Sequence, residues 1–390
     1  MKTLRIGLLW HATAAGNLGV GALSVGNIAL AREAAARAGV RPHFTLLGAR
    51  ETGVPYITDT DIDVRALTGR YMLSPGGYRA DVARLDILLD IGAGDSFADI
   101  YNDKRFAYIV ATKAMAIAMG KPLILSPQTI GPFTRQPHTA IAAWICNRAA
   151  QVFARDPLSM QVLQDLSPRA KAHQVIDVAF ALPYDRPAAR TGGPIKIGLN
   201  VSGLLMNGGY AGGNQYGLTV DYAALTRRLI TEFAAIPDTE VHLVPHVYAP
   251  GMPTDDDGAA ADALKAEFPH LVRHPDFTSP SAAKSFIAGL DFLVGARMHA
   301  TIAAYSAGVP VVPISYSRKF EGLYSGLHYP WLVPAKGMTT DAATSFILSA
   351  FANRADLARD IAAGTPVITR GLEDYTAVLA TEFKRLAEKQ

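Results

Sequence analysis

Apolar and polar residues alternate along the first half of the chain in the rhythm of a parallel α/β sheet. Short apolar runs of strand length are separated by alanine-rich segments with helical composition. The predicted strands of this half are Leu4–Trp10, His43–Leu47, Asp86–Ile91, Pro122–Ser126 and Gln151–Arg155, with predicted helices at Ala22–Ala38 and Tyr108–Met119. Because strands and helices alternate, the pattern predicts βαβ units with helices covering a parallel sheet.

A second alternating series begins after a stretch rich in Pro, Gly and Arg, residues 182–194. Its predicted strands are Ile195–Val201, Val241–Pro245, Leu271–Arg273, Asp291–Gly295 and Pro310–Ser315, with predicted helices at Asp221–Ala235, Asp257–Phe268 and Ser281–Leu290. A chain of 390 residues exceeds the size at which one hydrophobic core keeps growing. We therefore predict two α/β domains, residues 1–188 and 189–390, with a C-terminal helix at Leu372–Glu388 positioned to cross back over the junction.

Composition and charge narrow the class of protein. Apolar residues make up 49% and charged residues 18% of the chain, which is typical of a packed globular protein. The 37 basic and 34 acidic residues leave a net charge of +3 without a long basic run, so we expect no nucleic-acid partner. The apolar runs are too short or too interrupted for a signal peptide or a membrane span. Together with the single cysteine, Cys146, this predicts a cytoplasmic protein.

The segment 291–320 carries the strongest functional signal. An apolar strand ends at Gly295, and a small-residue helix follows at Ala300–Ala307. Arg297 and His299 therefore lie between strand end and helix start, where open α/β sheets bind ligands and a helix N-terminus attracts anions. Arg supplies a permanent charge suited to carboxylate or phosphate, and His transfers protons near neutral pH. We expect an anionic substrate here.

Two glycine-rich turns follow strands of the first half. Asn17 lies in the first turn, where glycine lets the backbone approach a ligand closely, and Asp95 and Ser96 lie in the second. We interpret Asp95 and Ser96 as candidate contacts to hydroxyl groups of an acceptor. A tight strand-to-helix connection explains the first turn equally well, and helix capping alone would explain one of the polar residues in the second.

Three further polar residues follow predicted strands and are candidates for contact with a ligand. Gln128 follows the fourth predicted strand in a rigid loop that contains Pro and Gly, and Arg155 ends the fifth. Lys319 follows the last predicted strand and adds a compact cation. A structural ion pair with Asp156 or a neighbouring acid is the alternative for Arg155, and a solvated surface position is the alternative for Lys319.

Two polar clusters have some features of metal sites. His242 and His246 lie four residues apart, but they flank a strand-like run, so we do not expect a helical metal pair. The acidic run Asp255–Asp257 has no matching ligands at metal spacing, and we interpret it as a solvated loop. We therefore expect no metal and no resident cofactor.

The chain as a whole resembles the polysaccharide pyruvyltransferase family. The resemblance lies in motifs spread over nearly all of it: Gly-Asn-Leu-Gly at Asn17, Gly-Asp-Ser-Phe at Asp95, Ser-Pro-Gln-Thr-Ile-Gly-Pro-Phe at Gln128, Arg-Asp-Pro-Leu-Ser at Arg155, and Gly-Ala-Arg-Met-His at His299. The last motif, which continues toward Lys319, is the most specific. Many members have an acidic residue after the first motif, whereas this chain has Val20.

This resemblance implies both a fold and an activity. It implies two Rossmann-like domains with parallel sheets in a GT-B-type arrangement. The implied reaction transfers the pyruvyl group of phosphoenolpyruvate, a co-substrate, onto a sugar as a ketal and releases phosphate. His299 would act as general acid beside Arg297, while Arg155, Arg297, His299, Lys319 and Gln128 would bind the donor. The acceptor contacts in the N-terminal domain would be Asn17, Asp95 and Ser96.

Two other functions stay open at the level of sequence. A nucleotide-sugar glycosyltransferase or sugar-nucleotide epimerase shares the two-domain architecture, and Glu321 is the available acidic partner for a ribose. A noncatalytic glycan-binding protein is the third hypothesis, although the paired Arg297 and His299 would then be needless.

The partners we expect are phosphoenolpyruvate and a sugar or glycan acceptor, and peripheral contact with a membrane-bound glycan intermediate is compatible with the sequence.

Overall fold

The computed structural model describes residues 1–188 and 190–389, and these fall into two compact units. We call Met1–Ala15, Leu23–Ala181 and Val367–Gln390 the first unit, and Gly16–Ala22 and Leu182–Pro366 the second unit. Each unit is an α/β structure with its own parallel sheet.

The predicted domains, residues 1–188 and 189–390, differ from these units in three places. The main segment of the first unit ends at Ala181, and Ala189, the predicted first residue of the second domain, lies outside the described residues. Gly16–Ala22 belongs to the second unit, because its backbone bonds to a loop of that unit rather than to the first sheet. The C-terminal segment from Val367 onward belongs to the first unit.

Seven parallel strands form the sheet of the first unit. They are β1 (Thr3–Leu9), β2 (Arg41–Gly48), β3 (Ile62–Ala66), β4 (Ile87–Asp90), β5 (Leu123–Gln128), β6 (Gln151–Ala154) and β7 (Ala172–Gln174). Their order in the seven-stranded sheet is β3-β2-β1-β4-β5-β6-β7. The connecting helices are α1 (Leu18–Arg37), α2 (Gly69–Leu73), α3 (Tyr78–Arg84), α4 (Asp103–Ala118), α5 (His138–Arg148) and α6 (Pro157–Leu166), followed by a 3-10 helix at Val178–Ala181.

Burial explains which of these strands the sequence reveals. Every residue of β4 and β5 is buried, as expected for parallel strands covered by helices on both sides, and such strands appear as continuous apolar runs. The edge strands β3 and β7 were not predicted. β3 is largely exposed and carries charged residues, and β7 has only 3 residues, so neither leaves an apolar signature.

The second unit has a six-stranded parallel sheet. Its strands are β8 (Ile195–Asn200), β9 (Thr239–Leu243), β10 (Val272–Arg273), β11 (Phe292–Gly295), β12 (Val311–Ser315) and β13 (Val333–Pro334), in the order β10-β9-β8-β11-β12-β13. Its helices are α7 (Gly203–Met206), α8 (Tyr222–Ala234), α9 (Asp257–Glu267), α10 (Pro280–Ile287), α11 (Met298–Ala307), α12 (Arg318–Gly326), α13 (Thr340–Ala352) and the start of α14 (Arg354–Lys389). The strand order reverses beside β8, and ligands bind at such switch points in open sheets.

The last helix, α14, is shared by the two units. Pro366 lies inside this helix, and the division between the units falls directly after it. Within the first unit, the Oη atom of Tyr375 lies 2.7 Å from Asn27 Oδ1 and 2.9 Å from Ser126 Oγ. These buried contacts attach the end of the chain to the first sheet. None of the described helices combines the length and the apolar character needed to cross a bilayer.

Candidate functional site

The turn after β11 positions Arg297 and His299 at the start of a helix. Arg297 is the N-cap residue of α11, with an extended backbone, and its N–H donates to Asn200 Oδ1 at 2.8 Å. Met298 and His299 are the first two helical residues, and Gly308 in the left-handed conformation ends the helix. The predicted strand-turn-helix is therefore present, with His299 in the turn that carries the positive end of the helix dipole.

The guanidinium of Arg297 forms ion pairs with the carboxylates of two aspartates. Its Nη2 atom lies 2.7 Å from Asp257 Oδ1 and 2.6 Å from Asp255 Oδ1, and its Nε lies 3.1 Å from both carboxylate oxygens of Asp257. The Arg297 side chain is 10% exposed and that of Asp257 is 0% exposed, so this ion pair is buried. One cation that faces two carboxylates leaves no excess positive charge. The structure therefore weakens the prediction that Arg297 binds the donor's anionic groups directly.

Asp257 also holds the backbone of the neighbouring loops. It accepts hydrogen bonds from the N–H groups of Gly203 at 2.9 Å, His246 at 3.2 Å and Val247 at 3.1 Å. The interpretation of Asp255–Asp257 as a solvated loop is wrong, because the buried guanidinium requires a counter-charge that two of these acids supply.

His246 is a buried histidine in the loop after β9. It is 2% exposed, and neither Nδ1 nor Nε2 has a hydrogen-bond partner within the described residues. Burial lowers the pKa of His246 to about 3, and the positive charges of His299 and Arg297 lower it as well. Near neutral pH the ring is therefore uncharged. A polar ring left unpaired at this depth is costly, so we regard His246 as a candidate ligand contact.

The segment Gly16–Ala22 lies along the loop that contains His246. The N–H of Leu18 donates to the carbonyl oxygen of His246 at 3.1 Å. A Cβ atom added to Gly19 would clash with His299 Nδ1, so the backbone here approaches the imidazole as closely as only glycine allows. The first glycine turn, predicted as an acceptor loop of the N-terminal domain, therefore lies in the second unit beside His299.

The structure places two other predicted contacts in the second unit. Asn17 is exposed, and its Oδ1 accepts a hydrogen bond from the N–H of Gly19 at 3.0 Å, which stabilises the turn. Lys319 is half-buried in the first turn of α12, directly after β12. Glu321, the candidate ribose partner, is exposed in the same helix. Lys319 and His299 thus both follow neighbouring strands at the carboxyl edge of the second sheet.

Arg155 and Gln128 lie in the interior of the first unit. The Arg155 side chain is 1% exposed, and its Nη1 pairs with Asp177 Oδ2 at 2.7 Å. Gln128 is fully buried, and its Nε2 donates to the carbonyl oxygen of Asp90 at 2.8 Å, while its Oε1 has no hydrogen-bond partner within the described residues. The structure thus shows an ion pair for Arg155, with Asp177 and not with Asp156, and donor binding by Arg155 stays a prediction. Donor binding by Gln128 stays a prediction.

Asp95 and Ser96 follow β4 in the first unit. Asp95 Oδ1 accepts a hydrogen bond from Tyr101 Oη at 2.9 Å, and Ser96 Oγ accepts one from Arg105 Nε at 3.1 Å. The N-cap of the following helix, α4, is Asn102, so the capping explanation for Asp95 and Ser96 is wrong. Their acceptor roles stay predictions.

Sequence reasoning missed three parts of this site: His246, the acids that pair with Arg297, and the glycine-rich loop 207–217. In that loop, Tyr210 Oη donates to Asp255 Oδ2 at 3.0 Å, and the Tyr216 ring packs against Tyr316 with centroids 5.3 Å apart. A signal for His246 was present, because it follows an apolar strand in the same way as Arg297. The contacts of loop 207–217 have no comparable signature in the sequence.

The carboxyl edge of the second sheet can bind an anion and move a proton. The N-terminus of α11 and Lys319 offer positive charge, and the two histidines offer hydrogen bonds and an exchangeable proton. Within residues 1–188 and 190–389, no group of three or more His, Cys, Asp or Glu side chains could hold a metal ion.

Solved structures with the same architecture are GT-B glycosyltransferases and epimerases. A Listeria monocytogenes protein classed with the UDP-N-acetylglucosamine 2-epimerases has a TM-score of 0.57 at 14% identity, covering 95% of this chain and 94% of that one. An α,α-trehalose-6-phosphate synthase from Burkholderia multivorans has a TM-score of 0.55 at 10% identity, covering 100% and 98%. A UDP-GlcNAc 2-epimerase from Neisseria meningitidis, bound to UDP-GlcNAc, has a TM-score of 0.52 at 10% identity, covering 96% and 100%. At such identities the likeness shows the fold alone, and it confirms the predicted α/β class with two parallel sheets.

The family follows from the sequence itself. The model of the polysaccharide pyruvyl transferase family matches residues 41–318, more than half of the chain. The protein therefore belongs to the polysaccharide pyruvyl transferase family, and the predicted resemblance is confirmed. No curated protein matches its sequence. The matched region includes His246, Arg297 and His299, whereas Asn17 and Lys319 lie outside it.

Proposed function

We propose that this protein transfers the pyruvyl group of phosphoenolpyruvate onto a sugar of a polysaccharide or its precursor, forms a cyclic ketal and releases phosphate. One observation carries the proposal. In a member of the pyruvyl transferase family, His299 lies in the first turn of α11. The buried, neutral His246 interacts electrostatically with His299, and neither of its ring nitrogens has a hydrogen-bond partner within the described residues.

The donor would be bound without the guanidinium of Arg297. We assign its carboxylate and phosphate to the N-terminus of α11, to Lys319 and to an N–H donated by His246. Arg297 acts as a positioning residue. Its ion pair with Asp257 connects the start of α11 to the backbone of His246, so it keeps both histidines in place.

The proposed reaction starts with a proton transfer from His299 to C3 of phosphoenolpyruvate, which converts the methylene to a methyl group and leaves positive charge at C2. One sugar hydroxyl attacks C2 and gives up its proton. The C2–O bond to phosphate then breaks, with its electron pair leaving on the phosphate, and a second hydroxyl of the sugar attacks C2 to close the ketal. Of the two hydroxyl protons, one restores His299 and the other leaves with phosphate or solvent. No oxidant or reductant is required.

The proposed partners are phosphoenolpyruvate and a sugar or glycan acceptor, and the proposal includes peripheral contact with a membrane-bound glycan intermediate. We assign the reaction to the cytoplasm. The buried, unpaired Cys146 is consistent with a reducing compartment.

The test is a phosphate-release assay with phosphoenolpyruvate and a panel of sugar acceptors, combined with mass spectrometry of the acceptor. We expect an acceptor to gain a pyruvylidene group only when phosphoenolpyruvate is present. His299→Ala should lower the rate by about 10²- to 10⁴-fold, the usual contribution of a general acid. His270→Ala is the matched control, because His270 is an exposed histidine of the same unit and should leave the rate unchanged.

Three outcomes would refute the proposal. The first is phosphate release that His299→Ala leaves unchanged. The second is turnover of a nucleotide sugar in place of phosphoenolpyruvate, which would favour a glycosyltransferase or epimerase. The third is glycan binding without any transfer, which would favour a noncatalytic binding protein.

A further inference from the structure

A cavity of about 520 Å³ opens at the carboxyl ends of the strands in the first unit. Small-molecule sites usually have volumes of roughly 300–1,000 Å³ and occur at this edge of α/β sheets. The cavity lies at the switch point of the first sheet, since Trp10 directly follows β1 and Ala93 lies in the turn after β4. The lining residues that matter here are Trp10, Arg50, Ser96, Lys104, Arg105 and Tyr108.

The cavity lining is positively charged. Arg50, Lys104 and Arg105 belong to it, and no carboxylate does. The acids adjacent in sequence are engaged elsewhere: Glu51 accepts hydrogen bonds from Thr13 and from the N–H of Ala14, and Asp103 pairs with Arg135. Three basic residues in a lining that contains no carboxylate among the described residues attract an anion to this cavity.

Two aromatic residues line the same cavity, and one of them is held in a strained conformation. Trp10 has a φ of 61°, which is rare for a bulky residue, and Ala93 has a φ of 48°. The Trp10 Nε1 donates to Thr112 Oγ1 at 3.0 Å, which fixes the indole. Such strain is retained mostly where function requires a particular side-chain position. Trp10 and Tyr108 offer apolar ring surface against which the C–H face of a sugar packs.

One of the cations is also fixed in place. The Arg105 guanidinium donates to Ser96 Oγ and lies 4.2 Å from the centroid of the Tyr101 ring. Ser96, predicted from the sequence as an acceptor contact, is 1% exposed, and its hydroxyl oxygen accepts the hydrogen bond from this arginine. A cation held by two partners loses little conformational freedom when an anion binds.

We propose that this cavity binds an acceptor sugar that carries a negatively charged group, with the sugar ring at Trp10 and Tyr108 and the anionic group at Arg50, Lys104 and Arg105. The inference rests on the proposed function, because it names the chemical class of its acceptor. The anionic group is a phosphate or a carboxylate on the sugar, and both are recognised by the same cations.

The test measures binding to the full-length protein by titration calorimetry, without phosphoenolpyruvate. The probes are glucose 1-phosphate, N-acetylglucosamine 1-phosphate, glucuronic acid, methyl glucoside and inorganic phosphate. We expect a charged sugar to bind at least about tenfold more tightly than methyl glucoside, because one charge-assisted hydrogen bond raises the affinity by about that factor. Arg50→Gln and Lys104→Gln should each weaken that binding by about tenfold. Arg148→Gln, an exposed arginine of the same unit outside the cavity, should have no effect.

The comparison of probes decides the outcome. Phosphate sugars and glucuronic acid together distinguish a phosphate group from a carboxylate. If inorganic phosphate binds as tightly as the sugar phosphates and Tyr108→Ala changes nothing, the cavity holds an adventitious ion only and the inference falls. Equal affinity for methyl glucoside, or binding unaffected by Arg50→Gln, overturns it as well.

This test is separate from the test of the proposed function, because binding is measured without turnover. Charged-sugar binding that depends on Arg50, in a protein that transfers no pyruvyl group, would refute the function and leave the binding site. Pyruvyl transfer to a neutral sugar, unaffected by Arg50→Gln, would refute the inference and leave the function.

Discussion

Two buried histidines, one in each unit, have the same exposure and the same charge. They differ in hydrogen bonding, because both ring nitrogens of one have partners and those of the other have none within the described residues. His11 in the first unit is 2% exposed, with its Nδ1 lying 3.1 Å from the carbonyl oxygen of Leu9 and its Nε2 lying 2.8 Å from Asn27 Nδ2. His246 in the second unit is also 2% exposed, and both of its ring nitrogens lack a partner within the described residues. Burial lowers the pKa of each histidine to about 3, so both rings are neutral.

The difference distinguishes a histidine with satisfied polar atoms from one that we propose as a ligand contact. In His11 the contacts determine the tautomer, because Nδ1–H donates to Leu9 and Nε2 accepts from Asn27. Its polar atoms are thereby satisfied. In His246 the same atoms have no partner within the described residues, and the pKa alone does not reveal this difference. Unmade hydrogen bonds, rather than burial, are therefore the reason that we propose His246 and not His11 as a ligand contact.

The largest expected effect is on the free energy of unfolding, which both histidines should make dependent on pH. Each folded-state pKa of about 3 lies below the ordinary value of 6.5, so the unfolded chain binds more protons between these values. Their stabilising effect is complete above pH 6.5 and is lost as the pH falls toward 3. Each histidine contributes a slope of at most about 1.4 kcal/mol per pH unit, so acidification from pH 6.5 to 4.5 should cost roughly 5 kcal/mol for the pair.

The measurement is urea unfolding across that pH range. His11→Gln and His246→Gln should each make the free energy of unfolding less dependent on pH than in the unsubstituted protein. A variant with an unchanged pH slope would show that its histidine is not held neutral in the folded state.

The next largest effect is on kcat/KM, which should fall when His246 is replaced but not when His11 is replaced. We expect His246→Ala to lower kcat/KM for phosphoenolpyruvate by about 100-fold, or roughly 3 kcal/mol, because a hydrogen bond to a charged group of the donor is lost. His11→Asn, in contrast, should leave kcat/KM within about threefold, since its ring contacts only the protein. Steady-state kinetics on folded samples measure both. Equal losses in the two variants would abolish the distinction.

The free energy of unfolding should distinguish the two histidines in the opposite order, with the larger loss for the His11 variant. His11→Ala removes two buried hydrogen bonds, one to the Leu9 carbonyl and one to the Asn27 amide, whereas His246→Ala breaks no side-chain hydrogen bond within the described residues. We therefore expect His11→Ala to destabilise the protein by about 2 kcal/mol more than His246→Ala. Chemical denaturation of both variants at pH 8 gives this difference. A larger loss for His246→Ala would indicate that its ring is mainly structural.

The smallest effect concerns the segment that lies along the His246 loop. Gly19→Ala should displace His299, because the added Cβ would clash with its Nδ1, and we expect kcat to fall by about tenfold, which corresponds to a small misplacement of the acid. Gly251→Ala is the matched control in the same unit, since a Cβ there meets nothing within 4 Å. Unchanged kcat for Gly19→Ala would mean that His299 can move without consequence.

Much of the fold could be predicted from the sequence. The buried strands β4, β5, β11 and β12 appear as apolar runs because helices cover both faces of a parallel sheet. The edge strands β3, β7 and β13 were missed, since exposed or very short strands carry no apolar pattern. The assignment of Gly16–Ala22 to the second unit was missed as well, because it depends on backbone hydrogen bonds formed far along the chain.

The sequence by itself determined the α/β class, the family and the strand-turn-helix that carries Arg297 and His299, because these depend on local periodicity and on contiguous motifs. Only the tertiary structure decided which cations are paired. Arg155 meets Asp177 and Arg297 meets Asp257 across 22 and 40 positions of the chain. It also decided that His246 is buried with no hydrogen-bond partner for its ring among residues 1–188 and 190–389. Charge pairing and desolvation depend on neighbours brought together by folding, and no local pattern records them.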